Sequence, residues 1–224
     1  MSSPIALILG AGARVGQAVG HKFAANGYEV ALASRSSNTG QGQDGLHYFK
    51  VDFSDPANVK TLFESVVASL GVPSVVVYNA YSMIPAKEPF SITPENFQQS
   101  LNVNMTSVFA AAHEAVNGFE KIPTSVPKSF IFTGNALDEI IIPGLSGLGA
   151  GKSATAHLIK AAAAAYLEKG YTFYYVDERL SGGGPVGNSI DGPAHADLFY
   201  ELAGDKNQRN WKQMFVKGKG FVRF

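Results

Sequence analysis

Short apolar runs alternate along this chain with longer stretches in which apolar residues recur at helical spacing. The runs Ile5–Leu9, Glu29–Ser34, Leu46–Val51, Ser74–Asn79, Ser129–Thr133 and Tyr171–Val176 read as strands. They are apolar almost throughout rather than at every second position, as expected of strands covered on both faces of a parallel sheet. The intervening segments read as helices. The first covers Gln17 to Ala25, the second opens with Ser54-Asp55-Pro56 and the fourth with Thr93-Pro94-Glu95, each a capping residue beside an early proline. The expected fold class is therefore α/β, with a doubly wound parallel sheet, helices on both faces and a single domain over residues 1–224.

Two stretches interrupt the alternation. Ser36 to Gly45 is polar and glycine-rich, which places it in a surface loop after the second strand. Asp177 to Pro193 contains Gly182-Gly183-Gly184 and reads as a flap over the carboxyl ends of the strands, the edge where open α/β sheets bind ligands. A last helix is expected over Pro193 to Ala203, and Trp211 and Phe215 beyond it are expected to close the core or a subunit contact.

Composition narrows the function classes. Lys plus Arg (18) balances Asp plus Glu (18), so no overall field recruits nucleic acid or an anionic membrane, and neither is an expected partner. With no cysteine, disulfides, thiolate catalysis and cysteine-ligated zinc are excluded, and no metal site is expected. Neither a signal-like segment nor a long apolar span is visible, so the expected location is cytoplasmic. The expected partner is a small molecule of unidentified structure.

Candidate chemistry begins at Gly10-Ala11-Gly12-Ala13-Arg14-Val15-Gly16, set between the first strand and the first helix. In such a turn the first glycine permits the bend, the second lets backbone approach a pyrophosphate and the third lets the helix pack closely. Gly10, Gly12, Arg14, Val15 and Gly16 are accordingly candidate dinucleotide contacts in a Rossmann-type domain. The second strand ends Ala33-Ser34-Arg35-Ser36, with a guanidinium where an NAD-binding domain usually places a carboxylate. Ser34 and Arg35 thus favour NADP(H), whose 2′-phosphate an arginine can pair. Arg14 either approaches the same phosphate or is a solvated surface charge.

The order of these motifs resembles the short-chain dehydrogenase/reductase family over most of the chain. The resemblance rests on the glycine turn, on Asp52-Phe53, on Asn79-Ala80-Tyr81, on Asn102-Val103-Asn104, on Phe132-Thr133-Gly134-Asn135 and on the helix carrying Lys152. It implies that Asp52 and Phe53 lie against the adenine, that Asn79 and Ala80 border the cofactor, and that Asn104 helps to hold a water in a proton relay. It also implies that Lys152 binds the nicotinamide ribose. The family's proton-donating tyrosine would stand four residues before that lysine, where this chain has Leu148, and Thr133 and Asn135 occupy the neighbourhood of its carbonyl-polarising serine. The candidate catalytic set is therefore Lys152, Asn104, Asn135 and Tyr81, with Asp138, Glu139 and His157 as weaker stand-ins for the missing acid.

Three functional readings stay open. One is an oxidoreductase of atypical mechanism, passing hydride to an acceptor that needs no phenolic acid. Another is a non-catalytic NADP(H)-binding sensor or scaffold. The third takes Ser146 to Ser153, with Gly151-Lys152-Ser153, as a nucleoside-triphosphate loop and Asp177-Glu178 as magnesium-holding acids. The alanine-rich continuation, Ala161 to Ala165, allows close helix packing, and family resemblance implies a homodimer or homotetramer through that helix.

Overall fold

The computed structural model describes residues 3–224 and gathers nine strands into one sheet. The strands are β1 (Ile5–Leu9), β2 (Glu29–Ser34), β3 (Gly40–Gln41), β4 (His47–Lys50), β5 (Val75–Tyr78), β6 (Lys128–Thr133), β7 (Tyr171–Glu178), β8 (Lys212–Val216) and β9 (Gly220–Phe221). The helices are α1 (Val15–Ala25), α2 (Ala57–Ser69), α3 (Pro94–Leu101), α4 (Ser107–Phe119), α5 (Ser146–Ala165) and α6 (Gly192–Ala203). The strand order is β3-β4-β2-β1-β5-β6-β7-β8-β9, parallel except for the two short edge strands β3 and β9. From β1 the chain winds outward first through β2 and then back through β5. The β1–β5 boundary is therefore the switch point at which a crevice opens at the carboxyl edge.

The apolar runs form strands because both faces are covered. On one face α2, α4 and α5 bury Phe63, Phe119 and Ile159 against Phe130, Phe132 and Tyr175. On the other, α1 and α6 bury Phe23 and Phe199 against Ile8, Ile131 and Tyr174. β1, β5, β6 and β7 are buried along their full length. Among the described residues no helix is long and apolar enough to cross a membrane.

Several expectations need correction. The 36–45 segment contains β3, which folds back on β4 through the bond from Gly42 N–H to Leu46 O. Asp177 and Glu178 belong to β7 rather than to the flap, because Arg179 pairs with Asp177 and the Asp191 N–H donates to Glu178 at 2.8 Å. The second helix begins only at Ala57, with Pro56 at its N-cap and no side-chain cap; Asp55 Oδ1 accepts from Ala57 N–H at 3.0 Å in the turn that leads into it. The helix capped by Thr93 is the third, with Thr93 Oγ1 accepting from Asn96 N–H at 3.2 Å. Residues 212–216 form a seventh parallel strand that the hydrophobic pattern did not announce. Its Phe215 is in the core, and Trp211 packs edge-on against Tyr175.

Candidate functional site

Each glycine of the turn meets a different steric demand. Gly10 has a φ of 96°, and a Cβ there would collide with the Ala80 backbone. Asn79 locks this approach by donating its side-chain N–H to Gly10 O at 2.7 Å. A Cβ on Gly16 would stand 2.5 Å from Gly10 O, whereas one on Gly12 would meet nothing within 4 Å. Gly10 and Gly16 thus shape the turn, and Gly12 leaves room above it. The opening N–H groups of α1, which starts at Val15, face the carboxyl edge without a side-chain cap. That arrangement suits an anion.

Two cavities meet across the switch point. One, of about 400 Å³, is bounded by Arg35, Asp52, Phe53, Ser54 and Val103. The other, of about 480 Å³, runs from Gly12–Val15 past Asn79, Thr133–Leu137 and Lys152 to the flap at Pro185–Asn188. Tyr81 and Met83 border both, so the two cavities adjoin. In the first cavity Asp52 accepts from Ser54 N–H at 2.9 Å, which together with nearby Arg35 holds its carboxyl below the usual range.

Lys152 stands in the wall of the larger cavity and is only 3% exposed. Its ammonium donates to Thr133 O at 2.8 Å and lies 4.2 Å from the Phe132 ring centroid. Burial pushes its pKa down to about 7, against the pull of Asp177 and Asp138. Beneath it lies a charged network. Arg179 bridges Asp177, Glu139 and Gly183 O, while Lys212 pairs with Asp138 and Glu139. Burial raises Asp177 to about 6 even though Arg179 opposes the shift. The network ties the segment after β6 to the flap after β7, so both carry their cavity-lining residues on fixed supports.

Asn135 caps a short turn of helix by accepting from Leu137 N–H through Oδ1 at 3.0 Å. Its backbone N–H and O are both engaged with the Tyr175 hydroxyl. Among the described residues the Asn135 side-chain N–H₂ has no protein partner, and it borders the cavity. Leu148, one helical turn before Lys152, contributes an aliphatic wall.

Other expected residues lie elsewhere. Asn104 sits behind the cavity, fully buried in a turn of π-helix (Asn102–Thr106), and does not reach its interior. Its amide group is consumed by the Ser82 backbone and Ser100, accepting from Ser82 N–H at 3.1 Å and donating to Ser82 O at 2.7 Å. Its own carbonyl accepts from Thr155 at 2.7 Å, so it clamps the Tyr81–Ser82 segment onto α5. Arg14 reaches the flap, donating to Asn188 O at 3.3 Å, and borders a different cavity from Arg35. Ser34 bonds the Ser37 hydroxyl at 2.7 Å and stays outside both cavities. Asp138 and Glu139 belong to the ion network, and His157 is exposed on the outer side of α5. The triphosphate-loop reading fails because Gly151-Lys152-Ser153 lies inside the 20-residue α5 and forms no loop. Among the described residues no cluster suited to a metal ion occurs.

Sequence reasoning missed His195, and it named Glu178 only as a magnesium-holding acid; both border the larger cavity with Arg14. His195 is completely buried, its Nδ1 lies 2.8 Å from Asp191 O, and burial lowers its pKa to about 4. A lone histidine in an ordinary amphipathic helix carries no sequence signal for this position.

Comparison with known proteins agrees with this geometry. Residues 10–178 match the family model described as enoyl-(acyl carrier protein) reductase. Over its whole length the chain is 44% identical to the short chain dehydrogenase/reductase dmxR12 of Cryptosporiopsis sp. (strain 8999), covering 96% of that protein. A metagenomic short-chain oxidoreductase solved in complex with NADP superposes with a TM-score of 0.81 at 16% identity, over 96% of this chain and 98% of that one. The NADH-dependent reductase A1-R′, complexed with NAD, gives 0.83 at 16% identity over 96% and 95%.

Proposed function

Because the chain belongs to the short-chain dehydrogenase/reductase family, we propose that it is an NADP(H)-dependent oxidoreductase that works without a phenolic proton donor on α5. The observation that carries this reading is a pair of adjoining cavities, one bordered by Arg35 and Asp52 and the other by the glycine turn, Lys152 and Leu148. A nicotinamide cofactor, when bound, supplies or accepts the hydride. The chain's residues fit such a guest, since Gly12 leaves open space over a helix N-terminus and Arg35 borders the adenosine-side cavity. Arg35 pairs with a 2′-phosphate, which favours NADP(H) over NAD(H). Asp52 and Phe53 flank the adenine, and Asn79 and Ala80 hold the turn beneath it. Lys152 offers its amine to the ribose hydroxyls.

At the reacting end Asn135 donates its free amide N–H to a substrate oxygen, and the bond from Leu137 N–H fixes its orientation. Leu148 can neither give nor take a proton. That absence removes a contribution of about 10²–10⁴ in rate for acceptors that must be protonated as hydride arrives. Acceptors already electron-poor, such as conjugated alkenes and iminium ions, avoid this loss. Tyr81 forms the wall between the two cavities. The exposed face of α5, with Ala150, Ser153, His157 and Ala161, supports a homodimer or homotetramer, to be checked by sedimentation.

Rapid mixing of the NADPH complex with a conjugated enone and with its saturated ketone tests the reading through loss of nicotinamide absorbance. Oxidation by the enone and not by the ketone is expected. Equal rates with both would refute the proposed mechanism, and no oxidation by any acceptor would favour the sensor reading that Leu148 also suits.

A further inference from the structure

The wall of the larger cavity is divided by chemistry. Its charged members are Arg14, Lys152 and Glu178, and each is already engaged with backbone, at Asn188 O, Thr133 O and Asp191 N–H respectively. The apolar lining is supplied by Met83, Leu137, Ile142, Leu145 and Leu148, with Asn135 as its polar contact. Lys152, the cation beside this lining, is held by Thr133 O and assigned to the cofactor ribose, so an ionised guest would lose its hydration without a charge of its own to pair with.

The apolar surface continues out of the cavity. The segment after β5 and the segment before α5 are joined by Ala86 N–H to Gly144 O at 2.9 Å and Ser146 Oγ to Pro89 O at 2.9 Å. Beside these joints Phe90 is 100% exposed and Ile141 is 83% exposed, next to half-exposed Met83 and Ile142. Single exposed apolar residues are ordinary, but Met83 and Ile142 line the cavity while half-exposed, and Phe90 and Ile141 stand beyond them on the same two joined segments, which extends the apolar surface outward.

We propose that the hydride acceptor is an uncharged, bulky and largely apolar enone compound. Its reacting oxygen lies at Asn135, and its body leaves the cavity across Met83, Phe90 and Ile141. This rests on the reading that the acceptor occupies the larger cavity, and the test separates the two. Chalcone, its para-carboxylate and cyclohexenone are titrated calorimetrically into the NADP⁺-saturated and the cofactor-free chain, with NADP⁺ titrated separately. Chalcone is expected to bind at least about tenfold more tightly than either comparator, as its buried apolar area and lack of charge require.

The Phe90→Ser/Ile141→Ser double variant alters only exposed side chains and so preserves the fold. It should weaken chalcone about tenfold while leaving cyclohexenone and NADP⁺ unchanged. Leu167→Ser, an exposed apolar position at the amino edge of the sheet, should change nothing. Tight binding of the carboxylate, equal binding of all three probes, or indifference of chalcone to the double variant would overturn the inference. If NADP⁺ fails to bind while chalcone binds with the stated dependence, the cofactor reading falls and the apolar site stands.

Discussion

Replacing Lys152 with Met should stabilise the cofactor-free protein near neutral pH, and the gain should fade as the pH rises. The ammonium is buried and its pKa falls from the ordinary lysine value of 10.5 to about 7. At about 1.4 kcal/mol for each tenfold change, the charged form carries a cost on the order of 5 kcal/mol. The native chain holds fewer protons than the unfolded chain between about pH 7 and 10.5, so wild-type stability climbs through that window. Below it the cost is fully present. Methionine matches the length of the side chain and titrates nowhere, but it forfeits the bond to Thr133 O, a loss of about 1.5–3 kcal/mol. The variant should therefore exceed wild type by about 2–3 kcal/mol near pH 6, and this advantage should shrink by about 3 kcal/mol by pH 9. Urea denaturation at matched pH values measures the difference directly. Stability curves that run parallel from about pH 6 to 9 would mean that the amine is not desolvated in the native state. The same substitution should weaken NADPH binding, so the lysine would be retained for function at the expense of stability.

Gly10→Ala adds a Cβ against the Ala80 backbone at a φ of 96°, and should abolish NADPH binding and lower stability by about 3 kcal/mol, read by calorimetry and urea unfolding. Asn104→Ala removes the bonds to Ser82 and Ser100, and should cost about 2–3 kcal/mol and speed hydrogen exchange at the Ser82 amide. Lys212→Met leaves the buried Asp138 carboxylate without its cation, so a loss of about 3–5 kcal/mol is expected in urea. A near-neutral result there would place Asp138 in contact with water.

The doubly wound core was legible because its strands are buried on both faces and carry the continuous apolar signal that burial requires. β1 and β2 match the apolar runs residue for residue. β8 escaped notice because Lys-Gln-Met-Phe-Val mixes polar and apolar positions. Its lysine is tolerated inside only through Asp138 and Glu139, partners more than 70 residues earlier in the chain. β7 runs on through Asp177, an acid that reads locally as the start of a loop, because Asp177 sits opposite Met214 in the ladder to β8 and finds its cation in Arg179. At the site, the glycine turn was legible because close backbone approach restricts residue type locally, and the sequence also singled out Arg35 and Lys152, which line the two cavities. The clamp made by Asn104 and the wall made by Glu178 and His195 depend on which segments the fold brings together. No local pattern encodes that.

Calorimetric titration of the wild-type chain and of Arg35→Ala with NADPH and NADH tests the account most directly. The wild type should prefer NADPH, and the substitution should weaken NADPH about tenfold or more, as loss of a charge-assisted phosphate contact requires, while leaving NADH unchanged. Equal affinity of the wild type for both cofactors, or no binding of either, would contradict the assignment of these cavities to NADP(H).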